Sequence, residues 1–283
     1  MLRKGIALAA FGLAVLAAPA ALASGPAPAP LKEAEFSFEG PFGKFDQAQL
    51  QRGYKVYREV CSACHAMSLL SFRNLGDKHG PFYDEKYPNS NDNPYVKSIA
   101  AEYQINDIDS ETGDVVQRPG ASADRFPNPF PNEPAARASN GGALPPDLSV
   151  IAKARHHGAH YIYSLVGSGY VAPPKGLTVA AGQHYNKYFP GDLTSASADP
   201  HHVPPGGVLA MAPPLAAGKV TFDDGSPSSV DQQAKDVAAF LMWAAEPKLQ
   251  ARKEFGLAAM SYLLIFTGLL YWSYRRIWRN VAH

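Results

Sequence analysis

The stretch "EVCSACHAMS", residues 59–68, crowds two thiols, an imidazole and a thioether into a few positions. Cys-x-x-Cys-His is the spacing of a c-type haem attachment site: both thiols can add to porphyrin vinyl groups while the adjacent imidazole ligates the iron. Cys61, Cys64 and His65 fill those parts. The chain has only these two cysteines, so no thiol is left over for a disulfide.

A haem held in this way offers its other face to one further ligand, and that ligand decides the chemistry. Five methionines are available. Met1 belongs to an apolar leader and Met260 to a second apolar run. Met67 follows His65 too closely to reach the far face of a porphyrin. Met242 stands in mid-helix beside Trp243, where core packing is the simpler account. Met211, in "GVLAMAPPL", has no helix face to pack, and Pro213 and Pro214 stiffen the chain beside it. His156, His157, His160, His184, His201 and His202 are the rival ligands, each by itself better read as a surface or loop histidine. A His65/Met211 pair would favour the reduced iron and leave no open position for oxygen or peroxide. Electron carriage is therefore the expected chemistry.

The elements that must position these groups can be read on either side of the motif. "FDQAQLQRGYKVYREVCSACH" opens with Asp46 and carries Gln49 three residues on, the pattern of a capping box. Leu50, Gly53, Tyr57, Val60 or Cys61 and Cys64 recur at helical spacing. A mid-helix glycine costs roughly 1 kcal/mol against alanine, which implies a packing reason for Gly53. "SVDQQAKDVAAFLMWAAEP" carries Val237, Phe240, Leu241 and Ala244 on one stripe and is stopped by Pro247. A third helix is expected from "PPDLSVIAKARHH", with Asp147 or Ser149 near its start. Between these helices the chain is rich in proline and glycine, as in "RPGASADRFPNPFPNEP" and "HHVPPGGVLAMAPP". Long irregular segments are unusual in a compact domain unless something organises them. A buried haem would supply that core.

The two ends of the chain address it to a membrane. Residues 1–23 combine Arg3 and Lys4, an alanine-rich apolar run and a closing Ala21-Leu22-Ala23, the pattern of a cleaved secretory signal. Residues 255–274, "FGLAAMSYLLIFTGLLYWSY", are uncharged and about the ~20 residues that a spanning helix needs. Tyr262, Tyr271, Trp272 and Tyr274 suit the interfaces, and Arg275, Arg276 and Arg279 place a tail, residues 275–283, in the cytoplasm. The expected plan is a signal, an exported haem c domain over residues 24–254, one span and that tail. The overall charge of +1 conceals an acidic domain: without the five basic residues at the two ends, 21 basic residues face 25 acidic ones. No basic patch suggests nucleic acid. A basic protein partner fits better. Asp107, Asp109, Glu111 and Asp114 form a local acidic run that reads equally well as solvated loop.

These residues together resemble the cytochrome c1 family, the haem c subunit of ubiquinol–cytochrome c reductase (bc1) complexes, over essentially the whole mature chain. The resemblance rests on "FSFEGPFGKFDQAQLQRGYKVYREVCSACHAM", the middle stretch "RPGASADRFPNPFPNEPAARASNGGALPPDLSVIAKAR", then "YFPG", "AMAPPL" and "AKDVAAFLMWAAEPKLQARK" ahead of the span. It implies a mainly α, class I c-type cytochrome fold with long loop insertions plus one C-terminal transmembrane helix. It implies one covalent haem c, with Cys61 and Cys64 as thioether sites and His65 and Met211 as axial ligands. Asn140 and Arg155 match haem-lining positions, Arg155 near a propionate, and Tyr161 matches a haem-pocket aromatic. Gly53 and Tyr57 match the helix-crossing contact of class I c-type cytochromes.

Function and partners follow from the same resemblance. A Rieske iron–sulfur protein would hand single electrons to this haem, which would pass them to a soluble or membrane-bound cytochrome c. A cytochrome b subunit and the Rieske protein would carry the quinol chemistry, so this chain would be no enzyme by itself. The implied location is a bacterial inner membrane, crossed once, with the haem domain periplasmic. Two other readings are weighed against this: a free-standing membrane-anchored cytochrome c feeding a terminal oxidase, and a haem peroxidase. The long insertions between His65 and Met211 disfavour the first, and the single haem motif without a distal acid–base pair disfavours the second. The stretch "KARHHGAHY" departs from the family pattern, carrying two extra histidines and no acid.

Overall fold

The computed structural model describes residues 29–199 and 201–280. The expected signal at residues 1–23 and the last three residues of the expected tail lie outside the described residues. Six α-helices and two small sheets are seen among the described residues: α1 (Gln47–Val56), α2 (Pro94–Ala101), β1 (Gln104–Ile108), β2 (Val115–Pro119), α3 (Glu133–Ser139), α4 (Gly158–Ser168), β3 (His184–Asn186), β4 (Gly207–Leu209), α5 (Val230–Ala245) and α6 (Leu249–Trp278). Helices α1 and α4 both pack against α5, and one hydrophobic core gathers around that contact.

Helix α1 begins where its sequence says it should. The Asp46 carboxylate accepts the Gln49 backbone N–H at 3.0 Å, satisfying one of the donors a helix start leaves free. The reciprocal half of the expected box is not made. Gln49 instead sends its amide across to Asp236 of α5, 3.1 Å away. Gly53 explains itself at the same crossing: a β-carbon there would come within 2.1 Å of the Asp236 carbonyl oxygen and 2.6 Å of Phe240 Cβ. Tyr54 and Tyr57 flank it, with ring centroids 5.7 and 5.9 Å from that of Phe240.

Helix α5 is capped by Ser229, whose hydroxyl accepts the Gln232 N–H at 3.1 Å. Its expected stripe is buried, and Ala234, Ala238, Ala239 and Trp243 are buried with it, so the helix is surrounded rather than half-covered. Pro247 separates it from α6. The 30 residues of α6 reach about 45 Å at ~1.5 Å per residue. It is the one helix among the described residues long and apolar enough to cross a membrane, and its apolar side chains from Phe255 onward are exposed. The helix runs beyond both ends of the expected span.

The third expected helix lies elsewhere. Residues 148–157 form a series of turns, and α4 starts only at Gly158, after His157 and Gly158 take left-handed φ values of +65° and +50°. Asp147 resembles a helix cap by type but is engaged in a different contact, described below. The acidic run falls on the exposed hairpin β1–β2, an antiparallel pair with Asp107 opposite Val116. Asp107 pairs with Arg118, and Asp109 accepts the backbone N–H groups of Glu111 and Thr112 to close the turn. These two acids have structural employment. The second sheet, β3 with β4, ends two residues before Met211.

Candidate functional site

At its C-terminal end α1 loosens into a π-helical turn, Tyr57–Cys61, that leads directly into the thiol motif. Such turns insert an extra residue and re-aim the side chains that follow. The chain then closes tightly, with the Cys64 and His65 backbone N–H groups donating to the Cys61 carbonyl at 3.1 and 2.9 Å. Cys61 is half-buried and Cys64 is exposed. Burial pushes the Cys61 thiol up to about 12, with the positive charge of Lys219 acting in the opposite sense.

The His65 imidazole makes one directed contact. Its Nδ1 lies 2.8 Å from the Pro146 carbonyl oxygen. A carbonyl only accepts, so Nδ1 carries the proton and Nε2 keeps its lone pair. Burial holds the imidazole pKa below its ordinary value, against the opposing pull of the Pro146 carbonyl and Asp147. The side chain is thus a neutral imidazole with its Nδ1 fixed by a backbone acceptor, the arrangement that metal-ligating histidines commonly have.

That orientation depends on a zipper between residues 65–69 and 146–149. The Asp147 carboxylate accepts the Ser68 N–H at 2.9 Å and the Ser68 hydroxyl at 2.6 Å, and it also accepts the Ser149 N–H at 2.7 Å. The buried Ser149 hydroxyl accepts the Leu69 N–H at 3.1 Å, and Leu148 N–H donates to the Ala66 carbonyl at 2.8 Å. Burial pushes the Asp147 carboxyl up, yet the hydrogen bonds from Ser149 and Ser68 outweigh it and leave its pKa below the ordinary 3.8.

The methionines sort by place. Met67 is wholly buried in the core, and Met242 is packed at the edge of the same core with its sulfur 3.8 Å from where a Gly158 β-carbon would stand. Met260 is exposed on α6. Met211 is half-buried just after β4, and its carbonyl accepts the Tyr170 hydroxyl at 3.0 Å. Of the rival histidines, His156, His157 and His160 line one cavity, with His160 paired to Glu39, while His202 pairs with Asp199 and His184 lies on β3.

Arg155 and Tyr161 come together. Both line a cavity of about 1030 Å³ whose walls also include residues 29–35, Tyr188 and Pro190. Burial raises the Tyr161 hydroxyl pKa, and the nearby Arg155 guanidinium acts against it. Asn140 is placed differently. It caps α3, and its side-chain amide donates to the Ala136 carbonyl of its own helix at 2.7 Å. Pro146 contacts the His65 ring, Asp147 ties the chain just after it, and Tyr170 holds the Met211 backbone, and nothing in their residue types announces that work. Pro146 contributes a backbone carbonyl, which no side-chain pattern reveals.

Two thiols, a neutral imidazole fixed at Nδ1 and a half-buried thioether beside two prolines are the types of donor that a covalent haem takes. Comparison with known proteins points the same way. The model of the Cytochrome C1 family matches residues 36–281. A "Cytochrome b/c1" of Bradyrhizobium diazoefficiens is 44% identical over 264 residues, 87% of this chain, and the chain spans 35% of that longer protein. A "Cytochrome c1" of Blastochloris viridis is 40% identical over 96% of this chain and 93% of the relative. A "Cytochrome c1, heme protein, mitochondrial" of Saccharomyces cerevisiae is 40% identical over 87% of this chain and 71% of the relative. A family match across nearly the whole described chain, with relatives this similar, means that the chain belongs to the Cytochrome C1 family, whose cofactor is one covalent haem c.

Proposed function

We propose that this chain is the electron-transfer subunit of a quinol–cytochrome c reductase, taking single electrons from a Rieske iron–sulfur protein and passing them to a cytochrome c. The observation that carries this reading is the His65 Nδ1–Pro146 contact at 2.8 Å, which fixes the tautomer and leaves Nε2 for a metal. In the reading, Cys61 and Cys64 are the thioether sites, His65 and Met211 the axial ligands, and Arg155 and Tyr161 border the haem edge. The bound haem supplies a one-electron couple. The chain's own residues do the rest: Pro146 orients His65, the Asp147–Ser68 zipper holds that orientation, and Tyr170 tethers the Met211 backbone. Two protein ligands exclude water and oxygen from the metal, so the chain performs no bond chemistry.

The same reading assigns a class I c-type fold, with α1 and α5 crossing at Gly53 and the long insertions wrapped around the cofactor. Residues 1–23 would be a removed signal, residues 24–254 the exported domain and residues 255–274 the span. The haem domain would face the periplasm of a bacterial inner membrane, with residues 275–283 in the cytoplasm. A cytochrome b subunit would lie beside α6.

The test is affinity purification in mild detergent, followed by a reduced-minus-oxidised visible spectrum and iron–sulfur EPR of the eluate. Haem b bands and a Rieske signal alongside haem c are expected. Haem c alone, from a preparation that keeps other membrane complexes intact, would overturn the assignment of partners.

A further inference from the structure

The loop "FEGPFGK", residues 38–44, is pinned to the start of α6. Lys253 Nζ donates to the carbonyls of Phe38 and Gly40 at 2.6 Å each, and it lies 3.5 Å from that of Gly43. One residue further on, Phe45 N–H donates to Gln250 Oε1 at 3.4 Å. The loop closes on itself through Lys44 N–H to the Ser37 carbonyl at 2.9 Å. Its turn needs its glycines: Gly40 sits at φ +69°, and a β-carbon on Gly43 would come within 1.9 Å of the Glu39 carbonyl oxygen.

This tethered loop presents Phe42 outward, 75% exposed. A lone exposed aromatic is ordinary on a protein surface. Its position is what sets Phe42 apart. Lys253 precedes Phe255, itself 76% exposed at the head of the apolar run, by about 3 Å of helical rise. The loop therefore sits at the level where α6 turns from polar to apolar. Lys44 and Lys78 are exposed at the same end of the domain, and their charges, with that of Glu254, all reach His79. An aromatic ring flanked by lysines is the composition of a surface that rests on lipid headgroups.

We infer that residues 38–44 form a second membrane contact, with Phe42 seated at the headgroup–acyl boundary and Lys44 and Lys78 facing lipid phosphates. Two separated points of contact would fix the tilt of the haem domain, which one helix alone leaves free. The inference rests on the reading of α6 as a spanning helix, and its test separates the two.

The full-length haem-loaded chain, in native membranes, is made with p-benzoylphenylalanine in place of Phe42, of Leu264 in mid-α6, or of Thr112 at the hairpin turn. After irradiation, adducts are identified by mass spectrometry. Lipid adducts at 42 in yield comparable to 264, with none at 112, are expected. Adding Lys44→Glu or Lys78→Glu should lower the ratio of anionic to zwitterionic adducts about fivefold for each lysine. A protein adduct at 42 would overturn the inference and assign the loop to another subunit. Lipid adducts at 264 with none at 42 would likewise overturn it. Absence of lipid adducts at 264 would instead overturn the spanning reading beneath it.

Discussion

Gly53 of α1 and Phe240 of α5 approach so closely that a β-carbon on the glycine would lie 2.6 Å from Phe240 Cβ. The Asp236 carbonyl oxygen, at 2.1 Å from the same point, belongs to a backbone that cannot move aside without disturbing α5. The position of the thiol motif depends on this crossing, because α1 runs directly through its π-helical turn into Cys61.

Gly53→Ala should therefore destabilise the haem-loaded protein by about 2–3 kcal/mol, the upper part of the range for overpacking. In a domain of this size that lowers the melting temperature by roughly 5–10 °C. Thermal melting followed by circular dichroism checks it. An unchanged melting point would mean that the helices separate freely and that the crossing does not set the motif.

Asp236 is fully buried and takes three partners: Gln49 at 3.1 Å, Gln232 at 2.8 Å and the Arg52 Nε at 2.8 Å. Arg52 also reaches Asp224 at 2.6 Å, on the exposed side. Removing one member of such a pair strands the other, so Asp236→Ala should cost about 3–5 kcal/mol. The double change Asp236→Leu with Arg52→Met should recover much of that loss. Urea denaturation of the three forms checks both expectations. Equal losses in the single and double variants would show that volume, not charge, decides the site.

Helix α5, the Asp46 cap and the need for a glycine at 53 were legible because each is a local pattern: a capping residue, an apolar stripe, an out-of-place small residue. Cys61, Cys64 and His65 were legible as a motif. The third helix starts later than its pattern suggests, because Asp147 has the type of an N-cap while its carboxylate is spent on Ser68, a partner 79 residues away. The hairpin β1–β2 escaped notice because nearly every residue in it is exposed, so no alternation of apolar and polar residues betrays it. Asn140 comes to attention only through resemblance, and its amide donates to the Ala136 carbonyl of α3. The Pro146 carbonyl could not have been found in any residue type.

The zipper should make the site acid-sensitive. The folded-state pKa of Asp147 lies below its ordinary 3.8, so its contribution is fully present above that value and is lost as pH falls through the lower folded value. Asp147→Asn should cost roughly 1.5–3 kcal/mol at neutral pH, the range for hydrogen bonds to a charged group. It should also flatten the fall in stability below about pH 4. Urea midpoints across that window check it. A variant as acid-sensitive as the parent would place the titrating group elsewhere.

Tyr170→Phe removes the 3.0 Å hydrogen bond to the Met211 carbonyl without changing shape. The expected result is a loss of about 1 kcal/mol in the hold on that loop. It would appear as measurable carbon monoxide binding to the reduced protein, where the parent binds little. No gain in binding would show that Pro213 and Pro214 hold Met211 by themselves.

Equilibrium redox titration of Met211→Leu beside Met242→Leu tests the central assignment most directly. Loss of a thioether ligand should lower the potential of the Met211 variant by a sizeable part of the roughly 0.8 V that axial ligands command. It should also abolish the methionine-to-iron charge-transfer band and admit carbon monoxide, while the Met242 variant keeps the parent's potential and spectrum. A Met211 variant that retains both would contradict His65/Met211 ligation, and with it the closed electron-carrying site.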